Sequence, residues 1–190
     1  VQTCALPIYI MMSNTLLESV VKKNRARLIP FMLALYVLAF LDRSNIGFAK
    51  ETYQLDTGLS NEAYALGAGI FFVVYAFLGV PANLLMRKFG ARRWIGCTTL
   101  LWGVLSAAMA WADTEAKFLL VRTLLGAAEA GFFPGMIYLT SQWFPQQNRA
   151  SIMGLFYMGA PLALTLGSPL SGALLEMHGF MGHPGWFWMF

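Results

Sequence analysis

The sequence predicts an all-α membrane protein, and three observations carry the prediction. First, 58% of its 190 residues are hydrophobic and only 12% are charged, about half the charge of a soluble domain. Second, the apolar residues fall into runs of about 20–26, the length at which a helix crosses the hydrocarbon core, separated by short charged or Gly/Pro/Asn stretches. Third, basic residues collect at alternate ends of these runs. Lys22, Lys23, Arg25, Arg27, Arg87, Lys88, Arg92, Arg93 and Arg149 are expected on one side, with only Lys50 and Lys117 on the other. Nine against two is a positive-inside asymmetry and predicts a cytoplasmic N-terminus. The net charge of +4 is therefore read as topology, with no nucleic-acid partner.

Residues 1–10 open with VQTCALPI, which resembles the translation of a sequencing-library adapter. They are expected to be non-native read-through, with the native start at Met11 or Met12. Residues 11–27 read as a cytoplasmic, partly amphipathic N-terminus. The expected membrane helices are residues 28–48, 61–86, 94–112, 118–142 and 150–175. Residues 50–60 form an outside loop, with Ser60 or Asn61 as the N-cap of the second helix. A sixth helix begins at 186–190, so the chain is expected to be incomplete at both ends. Small residues four apart, Gly159, Ala163, Gly167 and Ser171, and likewise Gly131 and Gly135, predict close helix packing in lipid.

Four ionisable residues fall at membrane depth: Asp42 and Arg43 in the first run, Arg122 and Glu129 in the fourth. Unpaired, they would cost about 10 kcal/mol at about 2.5–3.5 kcal/mol each. Arg122 and Glu129 are seven residues apart with Gly126 between them, so all three share one helix face. An arginine fork suits a carboxylate ligand. A carboxylate in a low-dielectric cavity can take and release a proton near neutral pH. Together they suggest an anion site coupled to protons; the plainer reading is an ion network fixing the first helix against the fourth. Tyr75 either lines the cavity or bonds a neighbouring backbone, and Asn45 is read equally as cavity lining or helix glue.

Cys4 and Cys97 form no disulfide framework and no metal-ligand spacing, and Cys97 reads as a small apolar residue. His178 and His183 read as a solvated loop and not as a metal pair. No nucleophile–base–orienter arrangement is visible, which argues against an enzyme and leaves no metal or other cofactor implied.

Three stretches, FLDRSNIGFA at 40–49, GVPANLLMRKFGARRWIG at 79–96 and VRTLLGAAEAGFFPG at 121–135, make the chain resemble the N-terminal half of a twelve-helix major facilitator superfamily transporter. They are similar in particular to the anion:cation symporter family, and within it to bacterial sugar-acid permeases of the L-rhamnonate type. The resemblance implies proton-coupled symport of an organic anion by alternating access across a bacterial inner membrane. The proton gradient is the energy source, and the whole protein is expected to be monomeric. It casts Asp42 and Glu129 as proton-coupling carboxylates, Arg43 and Arg122 as arginines serving the substrate carboxylate and proton relay, and Tyr75 as a substrate-hydroxyl contact. Asn83 and Arg87 depart from the superfamily's usual glycine and aspartate in the motif between the second and third helices. Proton-driven efflux is the alternative within transport, and a non-transporting scaffold or sensor is the alternative outside it.

Overall fold

A computed structural model describes residues 5–190, with side chains from residue 16 onward. Residues 1–4, including Cys4 and the start of the adapter-like stretch, lie outside the described residues. Those described form seven α-helices, α1 to α7, with short 3₁₀ turns and no strand. Five stretches are long and apolar enough to cross a membrane: Leu16–Thr57, Asn61–Phe89, Ala91–Trp111, Glu115–Trp143 and Gln146–Glu176.

Helix α1, Ala5–Thr57, runs without a break through residues 50–57, where the sequence suggested a loop. Hydropathy misled there. The segment KETYQLDT is polar, but it contains no proline or glycine to stop a helix. Its Tyr53 is buried and anchored, donating its hydroxyl proton to the carbonyl of Ala112. The helix gives way at Gly58, whose φ of 73° is a conformation that L side chains resist. Ser60 then caps α2, Asn61–Phe89, by accepting a hydrogen bond from the Ala63 N–H at 3.1 Å. Gly90, at φ 86°, makes the tight turn into α3, Ala91–Ala108.

The fourth and fifth spans differ from single straight helices. The fourth is two helices, α4 (Glu115–Glu129) and α5 (Phe132–Trp143), divided at Ala130–Gly131. Pro134 lacks the N–H that would continue the ladder to the carbonyl of Ala130. The fifth is α6 (Gln146–Tyr157) and α7 (Gly159–Glu176), divided at Met158. There Pro161 leaves the carbonyl of Tyr157 without its partner. Of residues 186–190, expected to open a sixth helix, the first four lie in the 3₁₀ turn Gly185–Met189 and Phe190 follows it.

The fourth span is the hub. In its apolar window 56% of residues are buried, against 22–28% in the other four, which turn leucines and phenylalanines outward. Exposed residues such as Phe77, Val80, Leu100 and Val104 form the face that a bilayer would solvate.

Glycines set the helix pairings. A Cβ at Gly67 of α2 would strike the Phe118 ring of α4, and one at Gly135 of α5 would meet Met86 Sδ at 3.1 Å. On the other side, Gly159 and Gly167 of α7 admit Tyr36 and Leu41 of α1, and Ala163 and Ser171 of the same stripe are also buried. Small side chains permit this approach where no hydrophobic effect drives association.

Candidate functional site

Arg43 and Asp42 are neighbours on α1 but serve different partners, because adjacent helical residues point about 100° apart. Arg43 reaches α4, where its Nε and Nη2 both donate to Oε2 of Glu129, at 3.0 and 2.7 Å. Glu129 is 1% exposed and its second oxygen, Oε1, has no hydrogen-bond partner. Asp42 turns to α3 and accepts the Ser106 hydroxyl on Oδ1, while its own Oδ2 is buried and unpartnered. Two half-satisfied carboxylates inside one bundle are a costly arrangement, and each keeps one oxygen open.

Arg122 completes the group. It is 2% exposed, and among the described residues no carboxylate lies within ion-pair distance of its guanidinium. Its Nε donates to the carbonyl of Gly67 at 3.2 Å, and its Cζ stands 4.5 Å from the ring centroid of Phe71. The face shared by Arg122, Gly126 and Glu129 turns inward toward α2 and α1, as the seven-residue spacing required. Gly126 is where the two backbones come close: a Cβ there would stand 2.5 Å from the Phe71 carbonyl oxygen.

Tyr75 of α2 joins the cluster through its ring, with Arg43 Cζ 4.8 Å from the centroid. A guanidinium over an aromatic face is held by the ring quadrupole, most strongly where water is excluded. Asn45 is not brought to the arginine side. Its Nδ2 donates to the Met189 carbonyl at 2.6 Å and its Oδ1 accepts the Ser171 hydroxyl at 3.3 Å, so it ties α1 to α7 and to the last turn. His183 stacks on Phe187, with centroids 4.0 Å apart. Cys97 lies exposed on α3, among the outward-facing residues.

Two members escaped sequence reasoning. Ser106 was one hydroxyl in an apolar run, and only the placement of α3 against α1 joins it to Asp42. Phe71 read as an ordinary apolar residue of α2, yet it is fully buried between the charged groups. In each case the signal available was a period-3.6 position on a face that only the assembled bundle identifies as internal.

A buried arginine–glutamate pair, a second carboxylate and a second arginine, all set across helices of a multi-pass bundle, define a membrane protein with an internal ionisable centre. The sequence profile of the Major Facilitator Superfamily matches residues 32–190, and the chain belongs to that superfamily. It is 92% identical over 179 residues to the inner membrane transport protein RhmT of Escherichia coli, a match covering 94% of this chain and 42% of that protein. It is 51% identical to a protein of Agrobacterium vitis provisionally named a tartrate transporter, over 94% of this chain and 40% of the relative. It is 44% identical to a quinolone resistance transporter of Acinetobacter baumannii, over 91% and 40%. The chain thus spans about two fifths of the length of these relatives. Among solved structures, a bacterial homologue of the human lysosomal transporter Spinster, inward-facing and occupied, superposes with a TM-score of 0.76 at 22% identity. That match covers 82% of this chain and 34% of the other, and bears on the fold alone.

Proposed function

We propose that this chain is the amino-terminal half of a secondary transporter that carries a sugar-acid or related organic anion inward together with protons, across a bacterial inner membrane. The observation that carries the reading is the contrast between the two arginines: Arg43 is held by Glu129, whereas among the described residues no carboxylate pairs with Arg122. A buried guanidinium without a counter-ion has a fork of donors to offer a carboxylate. The inner-membrane relative and the relative named for tartrate support both the location and the substrate class.

The coupling follows from charge. With Asp42 and Glu129 ionised, the four groups sum to zero and an entering anion meets two negative charges. Protonating Glu129 loosens its hold on Arg43, and protonating Asp42 removes the second repulsion. The site then carries up to two net positive charges, which an anion neutralises. Substrate and proton thereby favour each other's binding, which is what symport requires. The facing half of the cavity would come from the remainder of the whole protein, with the two halves rocking about a midplane site. The membrane supplies the solvent and the proton gradient the energy; the reading needs no cofactor and no second protein.

The test is uptake of labelled L-rhamnonate by the whole protein in vesicles with an imposed pH gradient. Accumulation that tracks the inward proton gradient is expected, and its absence would reject symport of that substrate. A second reading, proton-driven efflux, is favoured by the kinship with the quinolone resistance transporter. It predicts that a quinolone is expelled when protons flow inward, and that L-rhamnonate neither accumulates nor competes.

A further inference from the structure

Among the described residues, Phe71 is the one aromatic ring shared by both arginines of the cluster, the buried Arg122 and the half-buried Arg43. Arg122 Cζ lies 4.5 Å from its centroid and Arg43 Cζ lies 5.5 Å from it. The ring is 0% exposed and fixed from several sides. Tyr75, one turn along α2, stacks on it with centroids 6.0 Å apart and planes 19° apart. Gly126 allows α4 to lie against its backbone, and Arg122 is tethered to Gly67 one turn earlier.

We propose that Phe71 is a positioning residue: it parks the Arg122 guanidinium on its face and so keeps it from the open carboxylate oxygens, leaving it free for the anion. The inference rests on the symport reading above and deepens it. Glu129 Oε1 and Asp42 Oδ2 are buried acceptors without partners. A charged guanidinium in the same dry cluster would otherwise be drawn to them. The ring offers a competing attraction through its quadrupole, without neutralising the charge as a carboxylate would. An aliphatic side chain of similar bulk fills the space but offers no such attraction. Arg122 would then collapse onto Glu129 or Asp42, with two consequences. The substrate loses its arginine, and the carboxylates, now next to an additional cation, hold their protons less readily. The groups facing this cluster are Asp42 and Arg43 of α1, Arg122 and Glu129 of α4, and the phenols of Tyr36, Tyr64 and Tyr75 around them.

The experiment compares Phe71→Leu, Phe71→Met and Phe71→Tyr in the whole protein, by L-rhamnonate uptake at several external pH values and by size-exclusion profile. Phe71→Leu and Phe71→Met are expected to raise KM about thirtyfold, the equivalent of one lost desolvated cation–π contact. They should also move the pH midpoint of uptake toward acid. Phe71→Tyr, which keeps the ring, should restore both KM and midpoint. A purely packing role would leave the midpoint where it is, and that outcome overturns the proposal. So does loss of folded protein in all three variants, which makes Phe71 a core residue and nothing more. If the wild type itself takes up no L-rhamnonate, the symport reading fails and this inference fails with it; a transporting wild type whose Leu, Met and Tyr variants all match it sinks the inference alone.

Discussion

The described residues contain two ion pairs of opposite character. Arg43 and Glu129 meet at 2.7 Å across 86 residues of sequence, with the glutamate side chain wholly buried. Lys117 and Asp113 meet at 2.6 Å within one turn, with both side chains more than half exposed. Distance does not separate them; surroundings do. In water a pair gains little, because the ions were already solvated and the side chains lose freedom on pairing. In the bundle interior the fully buried glutamate has no water to return to and depends on the half-buried arginine beside it. The buried pair is also incomplete, since both arginine bonds converge on one oxygen and leave Oε1 open. A fork-to-fork pair would have engaged both oxygens; here Oε1 is left without a donor.

The largest effect should come from breaking the buried pair on one side. Glu129→Ala leaves Arg43 charged in a dry site and should destabilise the whole protein by about 3–5 kcal/mol, read as a fall in thermal unfolding temperature in detergent. Removing both partners, Arg43→Met with Glu129→Leu, should recover most of that stability, because a buried pair replaced by apolar groups of similar volume is close to neutral. Uptake should stay absent in both variants. Uptake that returned with stability in the double variant would make the pair structural and end its candidacy as a coupling site.

The sequence disclosed the parts of this centre but not its wiring. Five spans, and four charges that could not face lipid, were legible because hydropathy and the cost of burying charge are local properties. The inward turn of Arg122 and Glu129 was legible because a seven-residue spacing fixes a shared face. Which carboxylate Arg43 would take was not, since the 100° between Asp42 and Arg43 says only that they diverge. That Asn45 is spent on Ser171 and Met189 depends on where α7 and the last turn come to rest. The breaks at Ala130–Gly131 and Met158 had their prolines in plain view, but each sits inside an unbroken apolar run that hydropathy reads as one helix. The extension of α1 through residues 50–57 failed for the opposite reason, since a polar helix lacks the apolar signal altogether.

A smaller effect follows from the glycine that lets α4 lie against the backbone of α2. Gly126→Ala places a Cβ within about 2.5 Å of the Phe71 carbonyl oxygen, closer than such atoms approach, so α2 and α4 must separate. Overpacking of this kind costs about 1–3 kcal/mol. The shift should appear in the unfolding temperature and also in KM, because Phe71 moves with α2 while Arg122 and Glu129 move with α4. Gly69→Ala, on the same helix as Phe71 but with nothing within 4 Å of the added carbon, is the control: it should leave KM unchanged and the unfolding temperature equal or slightly higher, because alanine is the better helix former. Equal losses from both would mean that something other than the α2–α4 approach is being measured, since helix propensity alone favours alanine over glycine.

The exposed pair should give the smallest effect, and its sign is fixed. The hydrogen bond from Lys117 is the main cause holding the Asp113 carboxyl below the usual carboxylate range. A folded-state value below the unfolded one adds stability above the unfolded value, and that stability is lost as pH falls through the folded one. Any contribution is therefore present at pH 7 and absent in strong acid. Because water screens it and salt screens it further, Lys117→Met should leave the unfolding temperature at pH 7 unchanged within error, in low salt and in high. The same cation removed from the buried site would be conspicuous at any salt concentration, since ions in solution do not reach it. If Lys117→Met instead lowers the unfolding temperature at pH 7 and salt erases the difference, the turn between α3 and α4 is held by charge. Burial would then not be the variable that separates the two pairs.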